Sequence, residues 1–298
     1  MKRQLTILSA PSILGLRPTG VEHLADRLLA SGLARMLSYN DPVISVQTFN
    51  ENYEAERDMA TGCLNPLTAR KFSLELIRVL TPHIGPGHFP LVLGGDCSIL
   101  LGIMPALKKK GSYGLIYLDA HADFYAPHQS QTGEIADMDL AIVTGRGPGL
   151  LTDIDGLKPY VEDQHVIHIG QRDEQETIDF GSRDIRKTGV HCFSLASIRA
   201  HGIETVLKGV MRTISETELE EYWIHFDTDV ISDEENFAVD YRLPGGLTFS
   251  EIARVLNTLM ETGKMAGMSV TIYNPALDPG GIISDRICNC LGSVLNKR

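Results

Sequence analysis

Two short segments concentrate side chains that bind divalent metals. Asp119, His121 and Asp123 follow the apolar run Leu115–Leu118 at alternate positions, and Asp227 and Asp229 follow a second run, Tyr222–Phe226. While a chain stays extended, every second side chain points to the same side. Each segment therefore aims its polar groups in one direction. The four carboxylates could not all ionise in a dry crevice, because like charges at close range resist it. Divalent cations remove that difficulty, and carboxylate with imidazole suits Mn²⁺ and similar ions. Carboxylates that bridge fit a two-metal site with ions about 3.5–4 Å apart. A third run, Leu91–Leu93, ends in the glycine pair Gly94 and Gly95, with Asp96, Cys97 and Ser98 just beyond. The plainer reading makes these acids helix N-caps and solvated loop residues. Two such clusters, each at the end of an expected strand, favour the metal reading.

The elements that must position these groups alternate along the chain. Strands are expected at Leu5–Ser9, Val43–Thr48, Pro90–Leu93, Gly114–Leu118, His165–Ile169, Val190–Phe193, Tyr222–Phe226 and Met268–Ile272. Amphipathic helical patterns lie between them at Val21–Ala30, Ala69–Leu80, Ile99–Lys109, Ile203–Ile214 and Phe249–Met260. Thr248 followed by Glu251 reads as a capping box. Apolar strands joined by helices argue for a parallel sheet covered on both faces. No repeat, low-complexity segment or linker divides the chain, so residues 1–298 are expected to form one domain. The least regular stretches, Phe124–Met138 and Ser232–Gly246, each follow a strand, where open α/β sheets place their ligand crevice.

Composition narrows the classes. The 298 residues are 43% hydrophobic, enough for a sizeable core. Lys and Arg number 27 against 38 Asp and Glu, a formal net charge of −11. That balance argues against nucleic acid or an anionic membrane as the main partner. No stretch approaches the roughly 20 apolar residues of a membrane span. Met1, Lys2 and Arg3 ahead of Leu5–Leu16 resemble the start of a secretory signal, but Gln4, Thr6, Ser9, Pro11 and Ser12 interrupt the run. It is read as a first strand and loop. Five scattered cysteines (Cys63, Cys97, Cys192, Cys288 and Cys290) do not form a disulfide framework, so a reducing cytoplasm is expected.

The segments Gly94–Ser98, Asp119–Asp123 and Asp227–Asp229 stand in the order and approximate spacing of the three metal-binding motifs of the ureohydrolase (arginase, agmatinase and formiminoglutamase) superfamily, which the chain resembles. Supporting matches include Ala10–Ser12, Gly20–Glu22, Ile169–Asp173, Gly245–Thr248, and Asn274 with Pro275. The resemblance implies a three-layer α/β/α, arginase-like fold with a mostly parallel eight-stranded sheet. It implies two divalent metal ions, Mn²⁺ foremost, with Asp119 and Asp227 bridging. Asp123 and Cys97 would complete the first ion's shell, and His121 and Asp229 would hold the second. It further implies hydrolysis of a linear C–N bond in a small guanidino or amidine substrate, with Asp123 orienting the attacking water. A homo-oligomer, trimer or hexamer, is the family's habit.

Three positions depart from the pattern. Cys97 stands where most of the family has histidine; a thiolate can ligate a divalent metal but is softer than imidazole. It resembles the branch that includes Nω-hydroxy-L-arginine amidinohydrolase, which points to an N-substituted guanidine. Ile272 stands where arginases carry a glutamate that pairs with the substrate guanidinium, and loss of that anion removes a charge-assisted contact. Ala136 stands where arginases carry a proton-transfer histidine, and His128 in the same loop is the candidate replacement. Two alternatives stay open. The substrate could be agmatine, a guanidino acid or a formimino compound, or the chain could be an inactive homologue kept for binding or structure. Glu134, Asp137, Asp173, Glu174 and Asp240 could each meet an α-amino group but are read as solvated surface acids, and Cys288 and Cys290 as core packing in the last helix.

Overall fold

In the computed structural model, residues 3–296 are described; Met1 and Lys2, which opened the signal-like segment, lie outside the described residues. One eight-stranded sheet runs in the order β2-β1-β3-β8-β7-β4-β5-β6. Its strands are β1 (Gln4–Ala10), β2 (Ile44–Ser45), β3 (His88–Gly94), β4 (Tyr113–Leu118), β5 (Val166–Ile169), β6 (His191–Phe193), β7 (Glu221–Asp227) and β8 (Met265–Thr271). All seven strand pairings are parallel. Each expected strand is present, and the mostly parallel sheet proves parallel throughout. The expected Val43–Thr48 strand shrinks to two residues because it forms an edge, paired only with Leu8 and Ser9.

Alternation along the strands divides the apolar side chains between two cores. From β7, Tyr222, Ile224 and Phe226 enter a core shared with helices Leu24–Ala30, Ile203–Glu216, Phe249–Glu261 and Ile282–Leu295. Trp223 enters the opposite core with Pro66–Leu80 and Leu100–Lys108. The same alternation sets His225 and Asp227 on the Trp223 side, and Asp119 on the Tyr117 side of β4. The capping box is present at Thr248 and Glu251 and opens Phe249–Glu261. Cys288 and Cys290 pack in the first core as expected, and all five cysteines are free thiols. No helix among the described residues is long and apolar enough to cross a membrane.

Four adjacent strands, β3, β8, β7 and β4, deliver their carboxyl ends to one edge of the sheet. The turn after β3 is drawn tightly against the loop after β1. Asp96 accepts from Ser98 N at 2.8 Å and from Gly15 N at 3.2 Å, and its own N–H donates to Ser12 O. Only a glycine fits this crossing, since a Cβ on Gly95 would lie 1.9 Å from Ser12 O. Gly95→Ala must therefore push two backbone segments apart. It should lower stability by about 3 kcal/mol or more, read from denaturant unfolding. A loss below about 1 kcal/mol, within the range of an ordinary substitution, would show that the turn is free to move.

Candidate metal centre

At that edge the strands hand over to short turns that fix the polar side chains. Asp119 follows β4 and accepts from His121 N at 2.6 Å; Asp227 ends β7 and accepts from Asp229 N at 2.8 Å. Asp229 in turn accepts from Ala120 N at 3.1 Å, which ties the two motifs together. The ligand-capable atoms gather in two sets. Cys97, Asp119, His225 and Asp227 offer one atom each within 4.8 Å of one another, and so do Asp119, His121 and Asp229. Asp119 belongs to both. Five of the six residues implied as ligands by the resemblance thus meet here. Asp123 lines the same cavity but belongs to neither set, and Asp227 joins only the set with Cys97. His225 was not singled out by sequence reasoning. Spacing puts it on the strand face of Asp227, but nothing local to the sequence marks it as a neighbour of Cys97 and Asp119.

Burial puts this cluster under electrostatic stress. Desolvation first, and Asp229 second, push the Asp119 carboxyl up to about 7. Burial and neighbouring acids also hold Asp123, Asp139 and Asp227 well above the ordinary carboxylate range. Burial raises the Cys97 thiol, and its S–H reaches Asp227 Oδ2 at 2.7 Å. For His121 burial opposes the charge, but Asp229 and Asp119 outweigh it and raise the imidazole well above its usual value. Its Nδ1 lies 2.9 Å from Asp229 Oδ2. Burial likewise pushes the Asp229 carboxyl up, yet His121 and Arg172 bring it below its ordinary value. Tyr117 OH lies 2.6 Å from Asp123 Oδ2 and 2.8 Å from Asp139 Oδ1. One hydroxyl has one proton, so the two carboxyls share a single donor.

These residues fit divalent ions. Asp119 Oδ2 is buried without a hydrogen-bond partner, and it belongs to the residue common to both sets. An unpartnered buried carboxylate oxygen is costly unless something cationic meets it. The arrangement can hold two cations side by side under a cavity of about 510 Å³.

The two irregular stretches form the cavity's rim. Thr132, Glu134, Ala136 and Asp137 come from the first, and Asp240, Tyr241 and Arg242 from the second. The acids there are less exposed than expected. Glu134 and Asp173 are buried, Asp137 is half-buried, and each has a structural partner. Glu134 pairs with Arg17 Nε at 3.0 Å and accepts from Tyr241 OH at 2.8 Å. Asp173 accepts from Ala122 N and Gln171 Nε2, so it braces the turn that carries His121. His128 is exposed and does not line this cavity; it borders a smaller one with Phe124, Gln129 and Arg146. That place corrects its expected role, because the loop turns the imidazole away from the clustered ligands.

The model for the Arginase family matches residues 33–295. Over 310 aligned residues the chain is 26% identical to an arginase of Staphylococcus aureus (strain MSSA476), covering 99% of this chain and 98% of that one. Among solved structures, arginase from Bacillus caldovelox aligns with a TM-score of 0.88 at 25% identity, over 100% of this chain and 99% of that one. Formimidoylglutamase from Bacillus subtilis shares the fold, with a TM-score of 0.71 at 18% identity over 98% of this chain and 86% of that one. The fold and the site define a ureohydrolase-type metal hydrolase. The chain belongs to the arginase family.

Asp137 offers a test of the cavity's electrostatics away from the clustered ligands. Burial pushes its carboxyl up to about 7 from 3.8, against hydrogen bonds from Ser130 and Thr132. A carboxyl raised in the folded state stabilises the fold fully below its unfolded pKa, and that contribution is lost as pH rises through the folded value. From about pH 4 to pH 8 the metal-free protein should lose on the order of 3 kcal/mol through this group. Asp137→Asn needs no proton and should flatten that part of the fall in thermal-unfolding profiles. Identical pH slopes in the two proteins would show that Asp137 is not raised.

Proposed function

We propose that the chain hydrolyses a linear C–N bond in an N-substituted guanidine of amino-acid type, with Nω-hydroxy-L-arginine as the best-fitting candidate. Residues 1–298 are read as one ureohydrolase-like domain holding two divalent ions. The set of Asp119, His121 and Asp229 suits Mn²⁺, an ion content with oxygen and imidazole. Assembly as a homo-oligomer in a reducing cytoplasm accompanies this reading, in keeping with the five free thiols.

One observation carries the choice of substrate. Cys97, Ala136 and Ile272, the three departures from the family pattern, pack in a single apolar cluster with Ile13, Leu16, Val21 and Val239. Cys97, Ala136, Ile272 and Leu16 also line the cavity. The wall where arginases present charge is apolar here. Ile272 holds its place with φ at 71°, a backbone conformation that a β-branched residue rarely adopts. Such strain persists where the surroundings demand it. A fully charged guanidinium gains nothing from this wall. An N-hydroxyguanidine is less basic, because its electron-withdrawing oxygen lowers the nitrogen pKa, and it suits an apolar wall better. Glu176 and Arg242, of opposite sign, also line the cavity and suit the zwitterionic tail of an amino acid.

When bound, two divalent ions lower the pKa of water and so supply hydroxide near neutral pH. The residues set the rest. Asp123, fixed by Tyr117, orients the attacking oxygen and takes its proton. The oxygen adds to the trigonal carbon, the C–N bond breaks, and the proton held at Asp123 passes to the departing nitrogen. The apolar wall keeps bulk water from the back of the carbon.

Activity on a panel of N-hydroxy-L-arginine, L-arginine and agmatine tests the reading. The missing charge-assisted contact should cost L-arginine roughly 10–100-fold in kcat/KM relative to the hydroxylated compound. Ile272→Glu should narrow that gap, and Asp123→Asn should abolish turnover of every substrate. Ornithine release from L-arginine as fast as from the hydroxylated compound would overturn the substrate assignment. Survival of activity in Asp123→Asn would overturn the mechanism.

A further inference from the structure

The imidazole missing at position 97 has a neighbour that can replace it. His225 is fully buried on β7, and one of its ring nitrogens lies within 4.8 Å of ligand atoms on Cys97, Asp119 and Asp227. Its Nε2 edge faces the Cys97 side. Nε2 lies 3.5 Å from Thr271 Oγ1, which itself lies 3.2 Å from Cys97 Sγ. The Nδ1 edge is anchored away from the cluster, 2.9 Å from Ser269 Oγ.

Ser269 decides what that anchor can be. Trp223 Nε1 can only donate, and it donates to Ser269 Oγ at 3.0 Å. The serine oxygen keeps a second lone pair, which can accept Nδ1–H from His225, while its own proton turns toward Ile224 O at 3.5 Å. In that tautomer the Nε2 lone pair is free on the edge next to Cys97. Tyr117 stacks on the ring with centroids 5.0 Å apart and planes 17° apart, which fixes the ring plane. A ligating histidine is held in this way, with one nitrogen on the ion and the other N–H given to an outer oxygen. The plainer alternative, a histidine that only fills the core, leaves Nε2 with a single contact at the limit of hydrogen-bonding distance.

We propose that His225 is a direct ligand of the ion held by Cys97, so that β7 supplies the imidazole absent from the turn after β3. This rests on the two-metal reading above and assigns a ligand set of Cys97, Asp119, His225 and Asp227. Thiolate and imidazole beside two carboxylates form a softer site than Asp119, His121 and Asp229. It favours borderline ions such as Co²⁺ and Zn²⁺ over Mn²⁺, following the rising affinity order of first-row divalent ions. The two positions should therefore differ in metal preference.

Cobalt alone is the probe, because thiolate ligation to Co²⁺ gives a near-ultraviolet charge-transfer band that is read without turnover. The wild-type protein should bind two Co²⁺ per chain and show the band, and Cys97→Ser should lose the band. His225→Ala should bind Co²⁺ roughly 10–100-fold more weakly at the band-bearing position and leave the other ion in place. His225→Ala that keeps two ions and an unchanged band at wild-type affinity would overturn the assignment. In case that variant fails to fold, His121→Ala loaded with one equivalent of Co²⁺ gives a second measurement. X-ray absorption should then find sulfur and imidazole around the same ion; sulfur without imidazole would overturn the assignment. A wild-type protein that binds no Co²⁺, Zn²⁺ or Mn²⁺ would instead overturn the two-metal reading, and this proposal with it.

Discussion

Asp119, Asp123, Asp139, Asp227 and Asp229 are all buried at or beside the carboxyl edge of four adjacent strands, where desolvation and mutual repulsion oppose their full ionisation. The remaining features of the edge answer that opposition. His121 shares its charge with Asp229 and Asp119, the backbone N–H groups of Ala120, His121 and Asp229 point at carboxylates, and Tyr117 joins Asp123 to Asp139. Internal donors satisfy part of the need and leave Asp119 Oδ2 bare. Cations complete the arrangement more naturally than any further side chain could, because one divalent ion meets several oxygens at once.

Rigidity beneath the acids comes from a row of side chains across the sheet. Register places His168, Tyr117, His225 and Ser269 side by side on β5, β4, β7 and β8. Burial pushes His168 down to about 4 and His225 down to about 3, so both rings are neutral. A neutral ring can donate from one nitrogen and accept at the other. His168 Nε2 lies 2.7 Å from His121 O, which holds the backbone of the second motif from below. The row is aromatic enough to pack and polar enough to orient the groups above it, which an apolar row could not do.

On the cavity side the same edge meets an apolar wall. Cys97, Ala136 and Ile272 come from three separate loops, yet they pack as one cluster. Changes that converge on one surface are understood together. The wall carries no charged side chain, while the clustered acids beside Cys97 retain the means to bind metal. A chain that had abandoned catalysis would have no reason to keep a buried cluster of acids under such stress.

Much of this was legible in the sequence. Apolar runs bounded by glycine and acidic turns marked all eight strands, Thr248 and Glu251 marked a helix start, and period-two spacing marked the acids of both motifs, because these are local patterns fixed by backbone geometry. Element ends were less readable. β8 stops at Thr271 and Ile272 turns to positive φ, which the apolar run did not announce. His225 and the burial of Glu134 and Asp173 could not be read either. A histidine in the middle of a strand looks like any other until register sets it beside Ser269 and Tyr117, and an acid in a polar loop looks solvated until that loop folds against another. His128 shows the converse, a reasonable choice by loop and residue type that tertiary structure turns away from the cavity. Residue types and spacing alone determined the fold class and the metal chemistry. Which side chains cluster, and which wall lines the cavity, depended on packing between strands and loops far apart in the chain, and no local pattern encodes that.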